Sequence, residues 1–219
     1  MHPSKVWLYQ ELGQTAARAL CANGFDAVFV PDAAAAREAV LSRIPAGATV
    51  GFGGSVTLQE IGLFPALEAG GFDLLNPPSK KMPDSKPERD ALRRRAVQAD
   101  VALAGANAVT LNGEIVSTDG TGNRMSLYVF GPGHTILIAG ANKIVPDVFD
   151  AQLRIRQIAA PANAKRLDKK TAPCFSTGIC DDEACTSIDR ICNVTVILHK
   201  KPAGIPEFSV ILVGEDLGL

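Results

Sequence analysis

Two basic residues and a run of glycines supply the chemistry that can be read most directly from this chain. Arg124 closes the polar loop Asp119-Gly120-Thr121-Gly122-Asn123-Arg124, and Lys143 closes Gly140-Ala141-Asn142-Lys143. Upstream, Gly51-Phe52-Gly53-Gly54-Ser55-Val56-Thr57 places glycines ahead of two hydroxyls. A glycine-rich turn that opens a helix presents unpaired backbone N–H groups at the positive end of the helix dipole, and these attract anions. Arginine adds a planar fork that can grip a carboxylate or phosphate with two bonds, and lysine adds a point charge. Gly53, Gly54, Ser55, Thr57, Asn123, Arg124, Asn142 and Lys143 are therefore the candidate site for a small anionic ligand. Each loop alone also reads as an ordinary turn with solvated cations, because a glycine-rich loop is a weak motif. Valine at position 56 breaks the dinucleotide G-x-G-x-x-G pattern, and the P-loop lysine is missing, which argues against a Rossmann cofactor site or an NTPase.

Glu60, beside the first loop, is the candidate acid/base or nucleophile. The competing reading is a surface helix glutamate, the usual place for that residue type. The histidines His2, His134 and His199 sit in no triad-like setting, so no nucleophile has an evident base.

Cys174, Cys180, Cys185 and Cys192 lie within one short segment, while Cys21 stands alone in a helix-like stretch. Thiolates suit zinc or an iron–sulfur cluster, and four of them complete either coordination set. Their spacing matches neither a zinc ribbon nor the common ferredoxin run, and Asp181, Asp182 and Glu183 add negative charge beside them. The alternative is a loop of reduced thiols. A metal or iron–sulfur site at these four cysteines is an expectation from residue type, not from spacing.

The elements that must position these residues alternate. Helical spacing of Val6, Leu8, Leu12, Ala16, Ala19 and Leu20 predicts a helix over residues 4–23. Further helices are expected over 33–43, 58–69, 88–99, 125–130 and 147–160, the last ended by Pro161. Strands are expected at 25–30, 48–50, 72–75, 100–105 and 134–139, with two more at 193–198 and 208–213 that form a C-terminal pair. Asn112-Gly113 between the apolar runs 108–111 and 115–116 is a hairpin signal. Pro77–Pro87 reads as an exposed loop, and Arg93-Arg94-Arg95 as a solvated helix face. Strand–helix alternation predicts an α/β domain with a largely parallel sheet and helices on both faces. In such sheets ligands bind beyond the carboxyl ends of the strands, so both glycine loops and the Asn142-Lys143 loop are expected to line one crevice. Val28, Phe29, Val50, Leu103, Ile136, Leu137 and Ile138 are the expected core.

The 219 residues fit one domain, 1–219, with its cysteine-containing segment at 171–193. Hydrophobic content of 47% is enough for a sizeable core, and a formal net charge of −1 points to neither nucleic acid nor an anionic membrane. No apolar run reaches the ~18–20 residues of a membrane span. The stretch MHPSKVWLYQELGQ has no apolar signal-peptide core, so a cytoplasmic protein is the expectation.

Five motifs in order carry a resemblance: Gly51 to Glu60, Asn107-Ala108-Val109-Thr110, Asp119 to Arg124, Gly140 to Val145, and Arg190-Ile191-Cys192-Asn193. Over nearly its whole length the chain resembles the lactate utilisation domain family. The resemblance implies an α/β fold like that of ribose-5-phosphate isomerase and CoA transferases. It also implies a tie to L-lactate oxidation alongside iron–sulfur partner proteins. Two kinds of function stay open. One is an enzyme, or enzyme subunit, acting on a small carboxylate or phosphorylated acid. The other is a non-enzymatic partner or regulatory subunit with a metal- or iron–sulfur-binding cysteine tail.

Overall fold

The computed structural model describes residues 1–75, 83–181 and 185–219. Its larger sheet has six strands: β1 (Asp26–Val30), β2 (Thr49–Phe52), β3 (Asp73–Leu75), β4 (Val101–Gly105), β7 (His134–Gly140) and β10 (Glu207–Val213). They lie in the order β1-β10-β7-β4-β2-β3, and every neighbouring pair is parallel. The smaller sheet is β8 (Ile144–Val145), β5 (Ala108–Thr110), β6 (Ile115–Asp119) and β9 (Val194–Leu198), in that order. β5 and β6 form the hairpin that Asn112-Gly113 signalled, with Gly113 at φ +79°.

Side chains of the central strands point alternately to two cores, as the period of two requires. Ala102 and Ala104 of β4, Leu137 and Ala139 of β7, and Val210 and Leu212 of β10 face α1 (Pro3–Ala22) and α6 (Asn123–Val129). Val101 and Leu103, Ile136 and Ile138, and Ile211 and Val213 face α2 (Ala33–Leu41), α3 (Val56–Glu60) and α4 (Leu63–Ala69). Cover on both faces explains why these strands are continuous apolar runs rather than alternating ones. Val50, Leu103, Ile136, Leu137 and Ile138 are buried as expected. Val28 and Phe29 are only partly so, because β1 is an edge strand.

Three local expectations differ. The helix expected over 58–69 is two helices, since Gly62 takes φ +66° between α3 and α4. Pro161 does not end a helix. α7 (Val148–Arg154) passes through a π-turn at Ile155–Ala159 into α8 (Ala160–Arg166), with the proline directly after the wider turn, where the helical hydrogen-bond ladder is already shifted. Of the three arginines on α5 (Lys86–Val97), Arg94 and Arg95 are exposed but Arg93 is half-buried. The C-terminal strands β9 and β10 are both present, each in a different sheet. Residues 77–82 of the expected loop, and Asp182 and Glu183, lie outside the described residues. Among the described residues no helix is long and apolar enough to cross a membrane.

Candidate functional site

In a parallel sheet every strand ends on the same edge. β2, β4 and β7 therefore deliver residues 53–55, 106–107 and 141–143 to one place, and β6 adds residues 120–123 from the smaller sheet. The result is a pocket of about 790 Å³. It brings together Gly53, Gly54, Ser55, Thr57, Asn123, Arg124 and Lys143 of the expected site. Neither Glu60 nor Asn142 lines it. Glu60 is exposed and accepts a hydrogen bond from the Gly218 N–H. Asn142 Oδ1 accepts from Leu217 N at 3.2 Å. Both therefore hold the segment 217–219 against the pocket.

Arg124 is bound more completely by the protein than its sequence suggests. Nη1 donates to Gly105 O (2.8 Å) and Tyr128 Oη (3.3 Å), and Nη2 to Asn107 Oδ1 (3.1 Å) and Thr118 O (2.6 Å). Its terminal nitrogens thus tie together the ends of β4, β6 and α6, and the two-pronged grip expected for a ligand is made on protein acceptors. The Asp119 loop is similarly self-occupied. Asp119 accepts from Thr121 N at 2.7 Å and from Arg124 N at 3.1 Å, so two N–H groups expected to face an anion face this carboxylate instead. Gly53 donates its N–H to Leu103 O at 2.9 Å, and Ser55 caps α3 through Leu58 N at 3.4 Å. What remains of the glycine loops is their space: a Cβ on Gly53 would meet Arg124 Cγ at 2.8 Å, and one on Gly105 would meet Ser55 Oγ at 2.6 Å.

Lys143 is 3% exposed, and its Nζ donates to Thr57 Oγ1 at 2.9 Å. Burial lowers its pKa from 10.5 to about 7, with Arg154 and Arg124 pushing the same way and Glu60 opposing. The point charge expected from the sequence is therefore on a group poised between charged and neutral near pH 7. Arg154, 7% exposed, was not a candidate in the sequence. It donates through Nη1 to Asn107 O (2.7 Å) and Leu219 O (3.4 Å), and through Nε to Asn142 O (3.1 Å). No sequence signal distinguishes it from a solvated helix arginine.

The pocket's outer wall comes from the far end of the chain. Asn163, Arg166 and Lys169 reach it from α8 and the turn beyond, Arg190 from the cysteine segment, and Arg93 from α5. Arg190 donates to Cys185 O (3.1 Å) and Cys192 O (3.2 Å), and Asn193 binds the Asp119 loop through Asp119 O and Gly120 O, each at 3.0 Å. Among the described residues, six basic ones (Arg93, Arg124, Lys143, Arg166, Lys169, Arg190) thus line the pocket against one acidic residue, Asp119. On the wall, Arg93 pairs with Asp90 at 3.2 Å and Lys169 with Asp189 at 3.7 Å, and Arg166 donates to Asn163 Oδ1 at 2.7 and 3.0 Å.

The cysteine segment serves this wall through its backbone. Cys174, on α9 (Pro173–Thr177), lies close enough to Cys185 for the second thiol to raise its pKa, although burial is the larger cause. Among the described residues no group of three or more His, Cys, Asp or Glu is placed to hold a metal ion.

A parallel α/β sheet with a cationic pocket at the carboxyl ends of its strands defines the class. The chain belongs to the LUD domain family, whose model matches residues 13–213. Membership relates it to lactate utilisation. Among solved structures it is similar to a DUF162 family protein from Deinococcus radiodurans, with a TM-score of 0.54 at 15% identity over 94% of this chain and 98% of that one. At that identity the likeness speaks for the fold alone. It also overlaps ribose 5-phosphate isomerase from Plasmodium falciparum over 52% of each chain, at 18% identity and a TM-score of 0.30. That overlap is partial, and the fold class rests on the sheet order itself. No curated protein matches the chain.

Proposed function

We propose that this protein is the small-anion-binding subunit or accessory enzyme of an L-lactate-oxidising system, and that the pocket holds a carboxylate or phosphorylated acid. The observation that carries this reading is the charge of the lining: among the described residues, six basic against one acidic in a cavity of about 790 Å³. Low-dielectric walls lined by one sign of charge focus the field and concentrate counter-ions. Arg124, occupied by protein acceptors, acts as fixed positive charge in the lining. Arg93, Arg166, Lys169 and Arg190 are the side chains that meet the ligand's anionic group at the wall. Iron–sulfur proteins of the same system are the partners this role calls for.

Thermal shift at constant ionic strength tests it. L-lactate, pyruvate and inorganic phosphate are titrated against the full chain, with chloride as the control. At least one should stabilise the protein saturably, as a ligand that binds only the folded state must. Chloride-like behaviour of all three would sink the reading. Added partner proteins then separate a subunit from a self-sufficient enzyme.

A further inference from the structure

We propose that Lys143 is an amine nucleophile, and that the pocket takes a 2-oxo acid whose carbonyl carbon condenses with Nζ to form an imine. This deepens the anion-pocket reading and rests on it.

The placement of Lys143 is that of a reactive amine rather than a structural cation. It ends the 3₁₀ turn Ala141–Lys143 directly after β7, so the centre of the sheet fixes its Cα. The side chain is buried yet forms part of the pocket lining. Among the described residues its hydrogen-bond partner is the Thr57 hydroxyl, and no carboxylate lies in ion-pair contact with it. A buried lysine kept for its charge is given a counter-ion, because an uncompensated buried charge is costly. Here the charged groups acting on Nζ are Arg154 from α7 and Arg124 from α6, both cations, with Glu60 from α3 opposing them. The Glu60 carboxylate is itself held by the Gly218 N–H. Burial and these two like charges leave a substantial neutral fraction near pH 7. One N–H directed at Thr57 Oγ1 leaves the nitrogen lone pair for an electrophile.

The substrate class follows from putting the amine beside the cations. An amine reacts with an aldehyde or ketone carbonyl, and the surrounding arginines favour a carboxylate. The smallest compounds bearing both groups are 2-oxo acids. The step balances without a redox partner. The Nζ electron pair adds to the carbonyl carbon, and one nitrogen proton passes to the former carbonyl oxygen. The second nitrogen proton leaves with that hydroxyl as water, and a C=N bond remains.

Reductive trapping tests the proposal. The full chain is incubated with pyruvate and sodium cyanoborohydride, and the adduct is located by intact mass and peptide mapping. The expected result is one carboxyethyl group per chain, on Lys143. Its labelling rate should rise with pH through a midpoint of about 7, below the range in which surface lysines lose their protons. Hydroxyacetone, which has the carbonyl and no carboxylate, should label Lys143 about tenfold more slowly. Lys143→Arg, which keeps a cation and cannot form an imine, should lose the label. Mapping of the unaltered chain decides the matter even if that variant does not fold. Labelling spread over surface lysines, with Lys143 spared, overturns the proposal. If pyruvate stabilises the chain in thermal shift but Lys143 is not trapped, the amine role fails and the anion pocket stands. If pyruvate, L-lactate and phosphate all neither stabilise nor label, both fail.

Discussion

The side chain of Arg124 lies across Gly53 so closely that a Cβ added to the glycine would sit 2.8 Å from Arg124 Cγ. Gly54, one residue on, has nothing within 4 Å of the same position. Two adjacent glycines in one loop therefore have different jobs. Gly53→Ala should displace the arginine stem, cost about 1–3 kcal/mol and weaken anion binding. Gly54→Ala should stay within about 0.5 kcal/mol of the unaltered chain. Urea denaturation of the pair checks this, and equal effects would contradict it.

Arg124→Lys keeps the charge but cannot reach Gly105 O, Tyr128 Oη, Asn107 Oδ1 and Thr118 O together. Leaving part-buried acceptors without a donor should cost about 2–3 kcal/mol in chemical denaturation. An unchanged midpoint would mean that the arginine serves the ligand and not the fold.

Lys143→Met should stabilise the protein near neutral pH while removing the amine. The sign follows from the lowered pKa, 10.5 to about 7. Between those values the unfolded chain binds more protons at this site than the folded one, so stability rises with pH across the window. Below about pH 7 both states are protonated and the full cost of the buried ammonium is present. The melting-temperature advantage of the methionine variant should therefore be largest at pH 6 and shrink towards pH 10. An advantage that grows with pH would show that the amine is not buried as described.

Arg154→Met removes the donor from Asn107 O, Asn142 O and Leu219 O. The expected cost is about 2–4 kcal/mol, because those carbonyls are left without a partner. Hydrogen exchange should rise at residues 217–219, where the segment covering Lys143 loses one of its anchors. Protection unchanged there would show that Glu60 and Asn142 suffice.

The sequence made the sheet legible because its strands are short apolar runs separated by helices, and because the glycines mark where strands end. Arg124, Lys143 and the 51–57 loop were legible as residues for the same reason. Their condition was not. Whether Lys143 is charged depends first on its burial and then on Arg154, an arginine in a helix pattern that looks like any solvated one. Arg93, Arg94 and Arg95 are chemically identical in the sequence, and only the packing of α5 turns one of them to the pocket. Asn163 and Arg166 lie beyond Pro161, a residue whose usual meaning is that a helix has stopped. The π-turn before it has no sequence signature, so the helix that carries part of the wall could not be foreseen.

β10 lies between β1 and β7, although it follows both of them in the chain. Until residues 207–213 leave the ribosome, β7 presents an open edge towards β1, and β1 has no neighbour in that sheet among the described residues. Such edges are templates for pairing with another chain. Pairings this distant along the chain are also slow to form. A stalled or truncated product lacking residues 207–213 should therefore be aggregation-prone and demand chaperone protection whatever the state of its pocket.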